Sequence, residues 1–308
     1  MTKSIGKYKY LLLRRFSQVT ILLLFVLANC SFVSIGQTPH LVFQSDISGF
    51  VVGERNLAIT NPKEKILPLN ILEGDLSFSK IAQTIPMSDP LAFMQIFLAG
   101  GAISLDLLLG LAIVLGIYAL FMGRGFCAFV CPINMVVDLA NYLRRVFHIE
   151  NTRFLGFSRN TRFVILGLAL VLSFIFGVLA WEMISPISML HRGLVFGLGV
   201  GFFGILAVFL FDLFMLKNGF CGYICPLGAT YSLIGAKSLL RIKHNVENCT
   251  HCSACTKICP EVQVLDMIGK RSAQVTNMAC IKCGRCIEVC NDNALTFSIL
   301  NCKKESVK

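Results

Sequence analysis

Charged side chains are scarce in this sequence. They make up 15% of its 308 residues against 55% hydrophobic, a balance that excludes a domain solvated over its whole surface. Histidine occurs five times and tryptophan once. His148, His191 and His244 fall in loops or tails and His40 in the expected outer loop, so no histidine pair stands inside an apolar run to hold a transmembrane haem. Acidic residues are outnumbered 17 to 28 by Lys and Arg, a net charge of +11. No aromatic-studded basic stretch or recognition motif accompanies that excess, so it does not signal a nucleic-acid partner.

What the chain has instead is apolar length. A bilayer core of about 30 Å takes about 20 residues of helix. Four stretches approach that length: 20–35 with a lead-in at 11–13, 105–122, 163–181 and 194–216. They predict an α-helical polytopic membrane protein with four transmembrane helices. The second stretch continues a longer run from 91, interrupted by Gly100, Gly101 and Asp106, and 88–101 reads as an interfacial or re-entrant helix.

Basic residues set the expected orientation. Five lie in the N-terminal arm, six in the 123–162 loop and twelve after residue 216. The 36–90 loop carries four against six acids, and 182–193 carries only Arg192. Both termini and the 123–162 loop are therefore expected on the cytoplasmic side of a bacterial inner membrane. Arg14-Arg15-Phe16 resembles a twin-arginine signal, and Leu27-Ala28-Asn29-Cys30 a lipoprotein cleavage site. Three later spans forbid export of the chain, and Asn29 stands where a small residue is wanted, so a retained first span is expected.

Eight of the 14 cysteines form two runs: Cys249-x2-Cys252-x2-Cys255-x3-Cys259-Pro260 and Cys280-x2-Cys283-x2-Cys286-x3-Cys290. This doubled spacing resembles that of bacterial two-cluster ferredoxins, in which the fourth cysteine of each run ligates the other cluster. The resemblance implies one [4Fe–4S] cluster on Cys249, Cys252, Cys255 and Cys290, and another on Cys280, Cys283, Cys286 and Cys259. A zinc ribbon needs one set of four ligands rather than two interlocked sets. Such clusters pass single electrons, and the α+β domain that carries them is expected to hang from the last span into the cytoplasm.

A second cysteine pattern is a repeat. Gly125-Phe126-Cys127-x3-Cys131-Pro132 recurs as Gly219-Phe220-Cys221-x3-Cys225-Pro226, each copy a few residues past the inner end of a span. Helical spacing would put each pair on one face, and the proline would open the amphipathic stretch that follows, 133–147 or 227–242. Four thiols from two copies would then meet on the inner face. Three chemistries suit them: packing as small apolar groups, a redox dithiol, or soft ligation of Cu(I), zinc or a further iron site. Structural disulfides are disfavoured in a reducing cytoplasm. Cys30 and Cys302 have no partners at ligand spacing.

The order of these parts resembles that of the NapH-type membrane subunit of the periplasmic nitrate reductase system, over nearly the whole chain. The resemblance implies oxidation of menaquinol or ubiquinol from the membrane quinone pool, with electrons passing to a periplasmic iron–sulfur partner and a nitrate reductase within a hetero-oligomeric membrane complex. Two related families differ in their extra domains. The nitrous-oxide reductase accessory protein carries a flavin-binding domain for which 36–90 is too short. The cytochrome-oxidase assembly ferredoxin carries a β-sandwich, whereas 18 residues follow Cys290 here. One departure is Asn291, where proline usually follows the last cluster cysteine.

A quinol site needs a proton acceptor and an apolar slot. The expected outer turn offers Trp181, Glu182, His191 and Arg192, with Asp106 near the same side and Asp212 near the inner end of the fourth span. A lone tryptophan at a span end is also an ordinary interfacial anchor. Another class of function is an assembly factor that reduces or handles a metal such as copper at Cys127, Cys131, Cys221 and Cys225. A third is a docking platform. The expected divisions are 1–35 (basic arm and first span), 36–90 (outer loop), 91–242 (three further spans with the repeat) and 243–308 (cluster domain).

Overall fold

The computed structural model describes residues 8–28, 30–35, 38–43, 72–74, 77–81, 84–148, 158–196 and 201–299. Cys302, the arm before Tyr8 and most of the 36–90 loop lie outside the described residues.

Helix α1 (Lys9–Ala28) is a leucine-rich segment without Gly or Pro, and its 20 residues make a rod of about 30 Å. It begins earlier than the expected first span and also ends earlier. Cys30–Ile35 forms strand β1, antiparallel to β2 (Thr38–Phe43) in the register Cys30↔Phe43 to Ile35↔Thr38. Aromatic and β-branched residues in Ser31-Phe32-Val33-Ser34-Ile35 favour that choice. Strands β3 (Leu72–Gly74), β4 (Phe78–Ile81) and β5 (Ile85–Ser88) form a second antiparallel sheet.

Helix α2 (Pro90–Leu98) is capped by Asp89, which accepts from the Leu91 and Ala92 amides, with Pro90 opening the first turn. It packs against α3 (Leu105–Ile117) and α6 (Thr161–Phe176). Gly110 lets β5 lie on α3, because a Cβ there would come within 3.0 Å of the Ser88 amide. A π turn over Tyr118–Met122 extends α3, and Gly177, in the left-handed region, ends α6. Short helices α4 (Gly125–Phe129), α7 (Ala180–Ile184) and α8 (Pro186–Phe196) and the longer α5 (Ile133–Val146) join these rods. Helix α9 (Gly201–Leu210) continues as a π turn over Phe211–Met215.

Among the described residues two helical segments are long and apolar enough to cross a membrane, Lys9–Leu27 and Leu105–Met122, while Thr161–Phe176 and Gly201–Met215 are shorter apolar helices. Their outer faces carry exposed large apolar side chains, including Phe16, Leu105, Phe121, Val164, Phe174 and Phe203. A belt of this kind marks a surface that is covered by lipid or by another protein.

The second repeat differs from the expected amphipathic helix over 227–242. Helix α10 (Pro226–Ile234) stops at Gly235, a 3₁₀ turn follows over Gly235–Lys237, and β6 (Leu240–His244) begins. Gly123 and Gly235 touch backbone to backbone, so a Cβ on Gly235 would fall 2.2 Å from the Gly123 Cα, and the Leu239 amide donates to Leu120 O at 2.7 Å. That long-range contact ends the helix.

The C-terminal unit is α+β, with strand order β7 (Ala273–Gln274), β6, β8 (Leu295–Ile299), all antiparallel, and short helices α11 (Ala254–Ile258) and α12 (Arg285–Glu288) within the cysteine runs. His191 and His244, expected in loops or tails, lie in α8 and β6.

Candidate iron–sulfur centre

Each set of four cysteines drawn from both runs lines one small void. Cys259, Cys280, Cys283 and Cys286 surround the first, with Ile242, Val264 and Leu265 behind them. Cys249, Cys252, Cys255 and Cys290 surround the second, beside Ile268, Ala294 and Leu295. Four soft thiol donors on an apolar bed suit an iron–sulfur cluster.

The backbone builds both loops alike. His251 and Ser253 flank Cys252 with positive φ (59° and 58°), and Lys282 and Gly284 flank Cys283 in the same way (54° and 74°). The surroundings differ. Residues 250–253 are exposed, whereas 281–284 are buried. Ile281 and Cys283 form one buried cluster with Ala128, against which Cys127 and Phe129 pack. The first repeat therefore touches the second cluster loop directly.

The cluster unit does not hang free; two carboxylates clamp it. Glu261, buried and directly after Cys259-Pro260, meets Arg124 at 3.1 Å, Arg162 at 3.6 Å and Arg159. Arg124 also donates to Ala279 O (2.8 Å) and Cys221 O (3.3 Å), tying the second cluster loop to the second repeat. In the reverse sense Asp138 on α5 binds Arg285 of α12 together with Arg15 of α1, with Arg14 3.9 Å away. The Leu11 amide donates to Glu288 Oε1 at 2.7 Å, and Tyr10 meets Phe297 edge-on at 5.3 Å.

The two repeats bring their thiols together in a different way from simple helical spacing. Cys127 lies in α4, but Cys131 lies beyond its end; Cys221 lies in a π turn over Phe220–Ile224 whose extended cap is Cys225. Pro226 opens α10, and Pro132 caps α5. Cys131 and Cys225 share one core with Cys221 packed against it, and Cys127 lies within electrostatic reach of all three. Burial pushes the Cys127, Cys131 and Cys221 thiols up, and Cys225 to about 12. A reactive dithiol needs the opposite shift. A metal or cluster would take these protons off on binding.

Asp212 is fully buried, accepts from the Phe220 amide at 2.8 Å, and offers its own carbonyl to Arg144 at 3.0 Å. It thus orders the turn ahead of Cys221. Trp181 is buried, stacks on Phe220 with centroids 6.4 Å apart, and donates its amide to Gln95 Oε1 at 2.9 Å. Glu182 accepts from Ser77 Oγ at 2.7 Å and from Ser188. His191 lies edge-on to Phe25 of α1 at 5.8 Å. Asp106 pairs with Lys80 on the surface at 2.7 Å.

Three groups escaped the sequence reading. Glu261 and Asp138 were each signalled only as an acid set among basic residues or beside a cluster cysteine. Asp89 accepts from Tyr231 Oη at 3.1 Å, and Phe126 stacks on the Tyr231 ring at 4.8 Å. That pair joins the outer loop's end to the second repeat.

The family model described as "4Fe-4S binding domain" matches residues 103–150 and 195–245, one match per repeat, and a "4Fe-4S dicluster domain" matches 241–291. The chain is similar to the ferredoxin-type protein NapH of Escherichia coli, 40% identical over 232 residues, covering 74% of this chain and 80% of that protein. It is 42% identical over 233 residues to NapH of Haemophilus influenzae, with the same coverage of each. The methylamine utilization ferredoxin-type protein MauN of Methylorubrum extorquens is 41% identical over 196 residues, covering 63% of this chain and 68% of that protein. No solved structure matches.

Proposed function

The chain belongs to the family of NapH ferredoxin-type proteins, and from that premise we propose that it is the membrane electron-transfer subunit of a quinol dehydrogenase. In this reading it takes electrons from menaquinol or ubiquinol and passes them toward a periplasmic iron–sulfur partner and a nitrate reductase, within a hetero-oligomeric complex of the inner membrane. The observation that carries the reading is the buried contact of Cys127, Ala128 and Phe129 with Ile281 and Cys283. It brings a cluster site against α4, just past the end of the apolar segment Leu105–Met122, near where a lipid-soluble donor would be found.

Cys259, Cys280, Cys283 and Cys286 would hold one [4Fe–4S] cluster, and Cys249, Cys252, Cys255 and Cys290 the other. When bound, these groups supply one-electron redox chemistry. The chain's own residues do the placing. Arg124, Arg159 and Arg162 hold Glu261, and Asp138 holds Arg285, so the cluster unit stays seated on the helices. Cys127, Cys131, Cys221 and Cys225 make a second buried set of soft donors beside the first. Four spans with both termini in the cytoplasm complete the proposal, the shorter helices Thr161–Phe176 and Gly201–Met215 serving as the third and fourth.

The test is anaerobic addition of menaquinol to the purified full chain in nanodiscs, read by EPR. Reduced iron–sulfur signals are expected within the turnover of the donor. Clusters that dithionite reduces and quinol does not would contradict the proposal.

A further inference from the structure

We infer that a groove beside the membrane-facing cluster site binds the head of an isoprenoid quinone, an inference that rests on the quinol reading above and gives the donor a place. The groove has a volume of about 700 Å³ and lies between the first turns of α1, the outward face of α5 and the end of α12. Small-molecule sites commonly fall between about 300 and 1,000 Å³. Its walls combine the apolar Leu11, Met135 and Leu139 with Arg14, Arg15, Arg145 and Arg285 and the acids Asp138 and Glu288.

Arg14 is the first indication of a ligand. It is 1% exposed, yet Nε, Nη1 and Nη2 make no hydrogen bond. Among the described residues its one paired acid, Asp138, stands 3.9 Å away and is already bound by Arg15 and Arg285. Buried donors left unmade are costly, so this guanidinium calls for an oxygen acceptor inside the groove. Glu288 and Asp138 line the same space and offer acceptors for a hydroxyl. A neutral head bearing both carbonyl or hydroxyl oxygens and hydroxyl protons fits that mixture.

Position is the second indication. Arg285 lines both the groove and the void bounded by Cys259, Cys280, Cys283 and Cys286. Arg14 is close enough to Cys283 to interact with it electrostatically. The third indication is the turn of α5, which buries Asn134, Asn141 and Arg144 while exposing Leu139, Tyr142, Val146 and Phe147. That face is built to lie against lipid. Leu139 and Tyr142 belong to it and to the groove's rim, so an isoprenoid tail has an apolar path from the bilayer to the head site.

The experiment is photolabelling of the full, cluster-loaded chain in nanodiscs with an azido-menaquinone, followed by peptide mass spectrometry. Label is expected within 8–15, 135–145 or 285–289, and unlabelled menaquinol should compete it away. Leu139→Trp, which fills the rim, is expected to weaken labelling about tenfold, with iron content and EPR spectrum unchanged. Arg14→Lys keeps the charge but loses the planar fork of donors, and should weaken labelling while the protein stays folded. Label at 180–193 would overturn the groove and leave the quinol reading standing. Groove label displaced by phosphatidylglycerol but not by menaquinol would make it a lipid site and overturn the inference too. No label anywhere, with no reduction by quinol, would remove both readings.

Discussion

The two cluster loops share a backbone and differ in where it is put. Cys252 sits between exposed residues, while Cys283 is buried between Ile281, Gly284 and the first repeat. The glycine marks the difference. Ser253 adopts a left-handed conformation facing water, whereas Gly284 adopts it beneath Tyr10, whose Cγ would lie 2.7 Å from a Cβ. A duplicated motif has thus given one loop that is packed into the helical unit and another that is exposed. In the proposed function that asymmetry sets a direction: the donor side is the buried loop, and the exposed loop is the exit.

The clamp should be the easiest part of this contrast to break. Glu261→Ala leaves Arg124 and Arg162 buried without their carboxylate, a change expected to cost about 3–5 kcal/mol. Thermal melting of the detergent-solubilised protein should fall accordingly, and hydrogen exchange should speed up across 279–286 before it does so across 249–255. Equal loss of protection in both loops would mean that the clamp holds the whole unit and not its buried half.

A smaller effect distinguishes the loops themselves. Gly284→Ala introduces both a strained positive φ and a collision with Tyr10, expected to cost about 1–3 kcal/mol. Ser253→Gly, at the equivalent place in the exposed loop, should stay within about 1 kcal/mol of the parent, since relief of the left-handed strain is offset by chain entropy. Comparable losses for the two variants, measured by melting, would erase the distinction. The smallest change is expected for Asp292→Ala, which removes the carboxylate bonded to the Thr250 amide and hydroxyl on the exposed side. Faster exchange of the Thr250 amide should be seen with docking unaltered; release of the cluster unit would contradict the account.

What the sequence made legible follows the range of the interactions. The cysteine runs and the paired Gly-Phe-Cys repeat are local patterns, and the structure assembles both sets. The α1 rod and the α3 rod each contain a long apolar run that was legible. The ends of elements did not: β1 replaces the end of the expected first span, and α10 stops where Gly235 meets Gly123. The Gly123–Gly235 contact joins residues more than a hundred positions apart and leaves no periodicity. Arg124, Arg159 and Arg162 were legible only as an orientation signal, because nothing local to them shows that Glu261 is their partner. The same holds for Asp138 and Arg285.

The central claim, that electrons enter at the buried loop, is tested most directly by freeze-quench EPR on two variants mixed anaerobically with menaquinol, each checked for its remaining cluster by iron content. Cys252→Ser should retain a signal that quinol reduces as in the parent, while Cys283→Ser should keep a dithionite-reducible cluster that quinol leaves oxidised. The reverse pattern, with quinol reducing the exposed cluster when Cys283 is gone, would contradict the account.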